Sequence, residues 1–210
     1  MPDLAPGLVH RPGYLDRPAQ AALLAALRDV LAAAPAFTPR MPRTGKAFSV
    51  RMTNCGALGW VSDRDGYRYQ PRHPETGAPW PAIPEAALAA WAALAECPAP
   101  PEACLVNLYG PGARMGLHQD RDEGTFDAPV LSLSLGATAL FRYGGTERGG
   151  PTRSVRLFSG DALVLGGPSR LAHHGVDRLY AGTDALGVGD LVPEIAGGRI
   201  NLTLRRVTPF

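Results

Sequence analysis

From about residue 102 onward the chain becomes a series of short β-rich runs cut apart by glycine and proline turns, and this texture narrows its possible folds more than any other feature. The runs are Ala103–Tyr109, Met115–Gln119, Val130–Leu135, Thr138–Tyr143, Ser154–Phe158, Asp161–Leu165 and Arg199–Val207. Short strands at such regular spacing specify a sandwich or barrel. The first half reads differently. Leu23, Leu24, Leu27, Val30 and Leu31 recur at helical spacing behind Pro18, which predicts a helix over 18–34, and Pro84 opens a second over 85–96 that closes before Pro98. Between them, residues 37–84 are rich in Pro, Gly, Arg and aromatics, with extended pieces at Ala47–Asn54 and Tyr67–Gln70. The proline cluster Pro98-Ala-Pro-Pro101 is the candidate boundary between the halves.

A chain of 210 residues, 45% hydrophobic and 19% charged, has enough apolar material for a full core without staples. Cys55, Cys97 and Cys104 are odd in number and form no C-x-x-C pair, so they read as small buried hydrophobes. The longest apolar run, Ala86 to Ala95, is about half of what a membrane helix needs. No basic stretch followed by an apolar core opens the chain, and the expected address is the cytoplasm. Residues 39–72 hold Arg40, Arg43, Lys46, Arg51, Arg64, Arg68 and Arg72 against Asp63 and Asp65, a local +5 inside a net charge of +2. Such a patch suits a polyanion, although Lys46 is the only lysine, so part of this arginine richness reflects the coding composition of the source.

Chemistry concentrates in the β half. His118 and Asp120 are two residues apart, and in an extended strand they project from the same face, where both can grip one cation. His174 would supply a third ligand from another strand. Two imidazoles and one carboxylate leave metal positions open, as in non-heme Fe(II) oxygenases. The H-x-D pattern alone is also met on exposed strand edges. In the last run, Arg199, Asn201, Thr203 and Arg205 share one face and Ile200, Leu202 and Leu204 the other. The polar face either meets solvent or lines a barrel interior, where two guanidinium forks would bind a dicarboxylate. Asn107 and Tyr109 form a second polar pair on an apolar strand.

These residues belong to a longer pattern: Met52-Thr-Asn-Cys-Gly-Ala-Leu-Gly-Trp60, Gly66-Tyr-Arg-Tyr69, His118-Gln-Asp-Arg-Asp-Glu123, Ser169-Arg-Leu-Ala-His-His-Gly175 and Arg199-Ile-Asn-Leu-Thr-Leu-Arg205. In this the chain resembles the AlkB-type Fe(II)- and 2-oxoglutarate-dependent dioxygenases over roughly residues 37–206, with Arg121 standing where that family has a lysine. The resemblance implies a mainly β fold with N-terminal α elements, in which a double-stranded β-helix (jelly-roll) core at 99–210 follows an N-terminal extension and nucleotide-recognition lid at 1–98. It implies Fe(II) held by His118, Asp120 and His174, with His173 turned away. It implies 2-oxoglutarate, with O2 the other cosubstrate, held by Asn107, Tyr109, Arg199, Asn201 and Arg205. The substrate pocket would use Trp60 as a loop-borne platform, with Tyr67, Tyr69, Asp122 and Arg148, and Arg51, Arg68 and Arg121 would meet phosphates. Met52 and Trp80 are read as packing residues.

The implied activity is oxidative demethylation of 1-methyladenine and 3-methylcytosine in alkylated single-stranded DNA, and in RNA, with release of formaldehyde. A carboxylate at Asp122 complements these cationic bases. No obligate protein partner is expected, and the glycine-rich stretch 180–198 reads as a mobile loop. Two alternatives stand beside this reading. A modified tRNA base or a small metabolite would use the same chemistry, whereas a non-catalytic damaged-base-binding module would have no need of His118, Asp120, His174, Arg199 and Arg205 together.

Overall fold

A computed structural model of the protein describes residues 3–209. The first helix, α1 (Arg17–Ala33), starts where Asp16 accepts a hydrogen bond from the Ala19 amide at 2.9 Å, with Pro18 in its first turn. The second, α2 (Glu85–Leu94), follows Pro84. Twelve strands complete the described chain: β1 (Leu8–Arg11), β2 (Arg51–Gly56), β3 (Gly59–Asp63), β4 (Gly66–Gln70), β5 (Ala103–Tyr109), β6 (Met115–His118), β7 (Val130–Gly136), β8 (Ala139–Tyr143), β9 (Arg153–Leu157), β10 (Ala162–Leu165), β11 (His174–Leu179) and β12 (Arg199–Arg205).

The strands form a six-stranded sheet in the order β1-β10-β7-β12-β5-β2, a four-stranded sheet in the order β6-β11-β8-β9, and the hairpin β3-β4. All ladders are antiparallel. This is the jelly-roll architecture that the family resemblance implies, and it narrows the sandwich or barrel of the strand texture to two sheets facing each other across a cavity lined by both. β1 and β2 precede residue 98 yet pair with β10 and β5, so residues 1–98 contribute to the same large sheet as residues 99–210.

Both faces of β12 are buried. Ile200, Leu202 and Leu204 pack with Leu23, Leu27 and Val30 of α1 and with Ala87, Ala90 and Trp91 of α2. Each fully buried aliphatic side chain there contributes about 1.5–3 kcal/mol of transfer free energy. The helices thus cover the outer face of the large sheet and leave its polar inner face to the cavity.

Two sequence expectations change here. Trp60 lies on β3, not in a loop, because Gly59 has no Cβ to strike the Trp80 ring, which sits within 2.4 Å of where that atom would be. Residues 180–198 are not a featureless loop: they contain two single turns of 3-10 helix, Val188–Asp190 and Pro193–Ile195. The Asp184 carboxylate accepts from the amides of Leu186, Gly187 and Val188, and Val188, Val192 and Ile195 join the main core. Apolar anchoring there outweighs the glycine content.

Candidate active site

His118 ends β6 and His174 begins β11, and the two are direct cross-strand partners with ring centroids 4.6 Å apart. Gly175 makes this possible, since a Cβ there would stand 2.5 Å from the Met115 carbonyl oxygen of β6. Asp120 lies beyond the end of β6, so the strand alternation that suggested its pairing with His118 does not place it. The chain leaves the ladder and turns the carboxylate back: Oδ1 is 3.6 Å from His118 Nε2 and Oδ2 is 3.8 Å from His174 Nε2. One donor atom from each residue lies within 4.8 Å of the others, the one such His/Cys/Asp/Glu cluster among the described residues.

Each imidazole is oriented by the carbonyl two residues before it. Gly116 O lies 2.9 Å from His118 Nδ1, and Ala172 O lies 2.9 Å from His174 Nδ1. Nε2 is thereby left free to meet a cation, the arrangement usual for metal-bound histidine. Burial lowers the pKa of His174 to about 4, against the opposing pull of Asp120. Its imidazole is therefore neutral at pH 7, as ligation requires. Burial acts to raise the pKa of Asp120, but Arg205 and the two imidazoles more than reverse this and keep it ionised, far below the usual carboxylate range. His173 turns away toward Gly145 O.

The cavity beside this cluster encloses about 600 Å³. Asn107 and Tyr109 of β5 and Arg199, Asn201 and Arg205 of β12 line it, with Arg199 opposite Tyr109 and Asn201 opposite Asn107 in register. The two arginines are not equivalent. Arg205 donates through Nη2 and Nε to Asp120 Oδ2, at 2.7 and 3.2 Å. Arg199 is 1% exposed; it donates to Ser134 Oγ and to the carbonyls of Ala137 and Leu157, while its Nε is a buried polar atom without a partner. Burial lowers its pKa to about 10, so it stays charged at neutral pH. A buried cation that lines a cavity and keeps one donor unsatisfied fits an anionic ligand such as a carboxylate.

At the cavity mouth Trp60 and Tyr67 stack with centroids 5.7 Å apart and planes at 17°, and Trp60 Nε1 donates to Asp122 Oδ2 at 2.8 Å. Tyr69 reaches deeper, and its hydroxyl donates to Glu123 at 2.5 Å. Burial, with Glu123 and Asp120 nearby, raises the Tyr69 pKa well above its ordinary value despite Arg205. Arg121 lines the cavity too. Three basic residues singled out in the sequence do not. Arg68 points off the opposite face of the hairpin, where Asp63 takes both ends of its guanidinium at 2.8 and 2.9 Å, so its charge is locally neutralised. Arg148 is exposed in the loop after β8, and Arg51 donates to Ala36 O at 2.8 Å. Met52 and Trp80 are core residues, as read, although Met52 also touches the cavity.

Glu123, Arg170, Ser132 and Ser134 also support the site, without a role legible in the sequence. Ser132 and Ser134 orient Asn201 and Arg199 from β7. Glu123 and Arg170 form a buried ion pair at 3.2 Å, and nothing in either local sequence separates them from surface charges.

The donor set, the orphaned guanidinium nitrogen and the jelly roll define an oxygenase of the iron and 2-oxoacid class. The 2OG-Fe(II) oxygenase superfamily matches residues 7–205, and the chain belongs to it. It is 55% identical over 203 residues to the alpha-ketoglutarate-dependent dioxygenase AlkB homolog of Caulobacter vibrioides, covering 97% of this chain and 89% of that one. It is 41% identical over 188 residues to the AlkB dioxygenase of Escherichia coli, covering 88% and 83%. The solved structure of OsALKBH1 superposes with a TM-score of 0.81 at 31% identity, covering 98% and 99%. The protein is thus an AlkB-type dioxygenase that depends on Fe(II), 2-oxoglutarate and O2. No helix among the described residues is long and apolar enough to cross a membrane.

Proposed function

We propose that this dioxygenase reverses alkylation damage by oxidative demethylation of 1-methyladenine and 3-methylcytosine in single-stranded DNA, and in RNA, acting as a cytoplasmic monomer. The observation that carries this reading is the Trp60–Asp122 hydrogen bond at the cavity mouth, which sets an aromatic face and a carboxylate together at the entrance to the metal cluster. A methylated, cationic base suits such a niche, with stacking worth about 1–3 kcal/mol per base. The AlkB enzymes and a tRNA demethylase of Schizosaccharomyces pombe, abh1, are among its relatives, which supports a nucleic-acid substrate.

In this reading His118, Asp120 and His174 hold the iron. Asn107, Tyr109, Asn201, Arg199 and Arg205 hold 2-oxoglutarate, the arginines countering its carboxylates. Loaded with iron, 2-oxoglutarate and O2, the site supplies the oxidising equivalents that hydroxylate an N-methyl carbon, after which formaldehyde leaves. The chain's own residues place that methyl group. Trp60, backed by Tyr67, stacks the base, Asp122 compensates its positive charge, and Arg121 meets the backbone phosphate from the cavity rim. Within residues 1–98, the hairpin β3-β4 serves as the nucleotide-recognition lid. Met52, Phe48 and Leu105 give the pocket apolar walls. Single strands are favoured because the base needs no extraction from a duplex.

The test is a mass-spectrometric screen of methylated oligonucleotides, assembled anaerobically with Fe(II) and 2-oxoglutarate and started with O2. Loss of 14 mass units, about one methylene, from strands carrying 1-methyladenine or 3-methylcytosine is expected. Turnover of 2-oxoglutarate with every strand left unchanged would redirect the search to small metabolites.

A further inference from the structure

Arg170 follows the 3-10 turn Gly167–Ser169, four residues before His174, and its side chain is 3% exposed. Its three kinds of donor go to three points on one loop. Nη1 donates to the backbone carbonyl of Asp120 at 2.8 Å, Nη2 to Glu123 Oε2 at 3.2 Å, and Nε to the carbonyl of Ala128 at 2.8 Å. The loop so held runs from the end of β6 to the start of β7 and has no ladder of its own. It carries Asp120, Arg121, Asp122 and Glu123, so one guanidinium fixes the backbone of a metal-cluster residue and the segment that contacts Trp60. The other oxygen of Glu123 accepts from the Tyr69 hydroxyl at 2.5 Å and lies 3.3 Å from Arg205 Nε, and Arg205 in turn grips the Asp120 carboxylate. The hairpin β3-β4, the loop 120–128 and the metal cluster are therefore joined through Glu123.

We propose that Arg170 is a positioning residue that sets metal affinity and nucleic-acid affinity together, by clamping loop 120–128 and, through Glu123, docking the Trp60 hairpin onto it. The requirement is geometric: a planar fork with donors diverging toward three acceptors is needed, and a lysine ammonium cannot span them. Residues that orient metal ligands in this way typically govern metal affinity by 10- to 100-fold. The inference rests on the reading of Asp120 as an iron ligand.

The experiment compares wild type, R170Q, R170K, Y69F and D120N by anaerobic calorimetry with Co(II) as a redox-stable stand-in, and by fluorescence anisotropy with a single-stranded oligonucleotide carrying 3-methylcytosine and no metal added. R170Q is expected to bind Co(II) about 10- to 100-fold more weakly and also to bind the oligonucleotide more weakly, with its circular dichroism retained. R170K, keeping charge without the fork, should follow R170Q. Y69F releases the hairpin from Glu123 but leaves the clamp, so it should lose oligonucleotide affinity alone. Wild-type Co(II) binding by R170Q, beside a D120N that has lost it, overturns the role of Arg170 while the ligand assignment survives. Wild-type Co(II) binding by D120N overturns the ligand assignment instead. Full rescue by R170K shows that charge, not the fork, is what matters, and failure of both Arg170 variants to fold assigns the residue to stability alone. Either outcome removes the proposal.

Discussion

Arg205 Nη2 sits 2.7 Å from Oδ2 of Asp120, so one of the two cavity arginines is already committed to the carboxylate of the metal cluster while the other, Arg199, keeps a free donor. Both come from the same face of β12, six residues apart. Their buried settings separate two tasks that the strand pattern makes look alike.

That difference predicts distinct losses. Arg199→Gln should weaken 2-oxoglutarate binding by about 1.5–3 kcal/mol, roughly 10- to 150-fold, and leave Co(II) affinity unchanged. Arg205→Gln should weaken both ligands and also lower stability by about 3–5 kcal/mol, because it strands a buried carboxylate. Calorimetry with each ligand and a chemical denaturation curve measure this. Equal loss of metal affinity in the two variants would show that the arginines share one role.

Asp122→Asn retains an oxygen able to accept from Trp60 Nε1 and removes only the charge. Turnover of 1-methyladenine and 3-methylcytosine should then fall several-fold more than turnover of the neutral lesion 1-methylguanine, measured as kcat/KM on matched oligonucleotides. A uniform slowing would make Asp122 a support for Trp60 and nothing more.

Metal should stabilise the fold, since the three donors are brought together only by the pairing of β6 with β11 and the return of the chain at Asp120. At a Co(II) concentration 100 times Kd the gain is about 2.7 kcal/mol, which for a chain of this size raises Tm by roughly 5–11 °C. Chelator should reverse it. His174→Ala should abolish the shift, whereas His173→Ala should keep it.

Glu102 gives a pH dependence away from the active site. Its carboxylate accepts from the amides of Val207 and Thr208 and from the Thr208 hydroxyl, and pairs with Arg206. Burial alone would raise its pKa, yet these donors together hold it below the ordinary 4.5. Between the folded value and 4.5 the unfolded chain binds more protons, so this contribution is complete above 4.5 and is lost as the pH falls through the folded value. Wild type should be more stable than Glu102→Gln at pH 7, and the gap should close in acid. A constant gap in Tm across a pH series would remove the charge from the explanation.

What the sequence determined by itself is mostly local. The start of α1 was legible because Asp16 and Pro18 act within one turn, and the strands from residue 102 because alternation and Gly/Pro punctuation are properties of neighbours. The pattern around His118, Asp120 and His174, with the two-faced β12, was enough to nominate an iron site and a dicarboxylate cavity. Tertiary structure decided what those faces meet. A period of two is the same whether the polar side looks at water or at a cavity, and only α1 and α2 covering Ile200, Leu202 and Leu204 turn Arg199 inward. Asp120 reaches its histidines by leaving the strand, which no strand periodicity encodes. Arg68 and Arg121 carry the same charge, yet the hairpin register hands one to Asp63 and the other stays at the cavity. Arg170 and Glu123 stand 47 residues apart and become a buried pair only in the folded chain, because pairing and burial depend on which distant segments share a space rather than on the residues alongside.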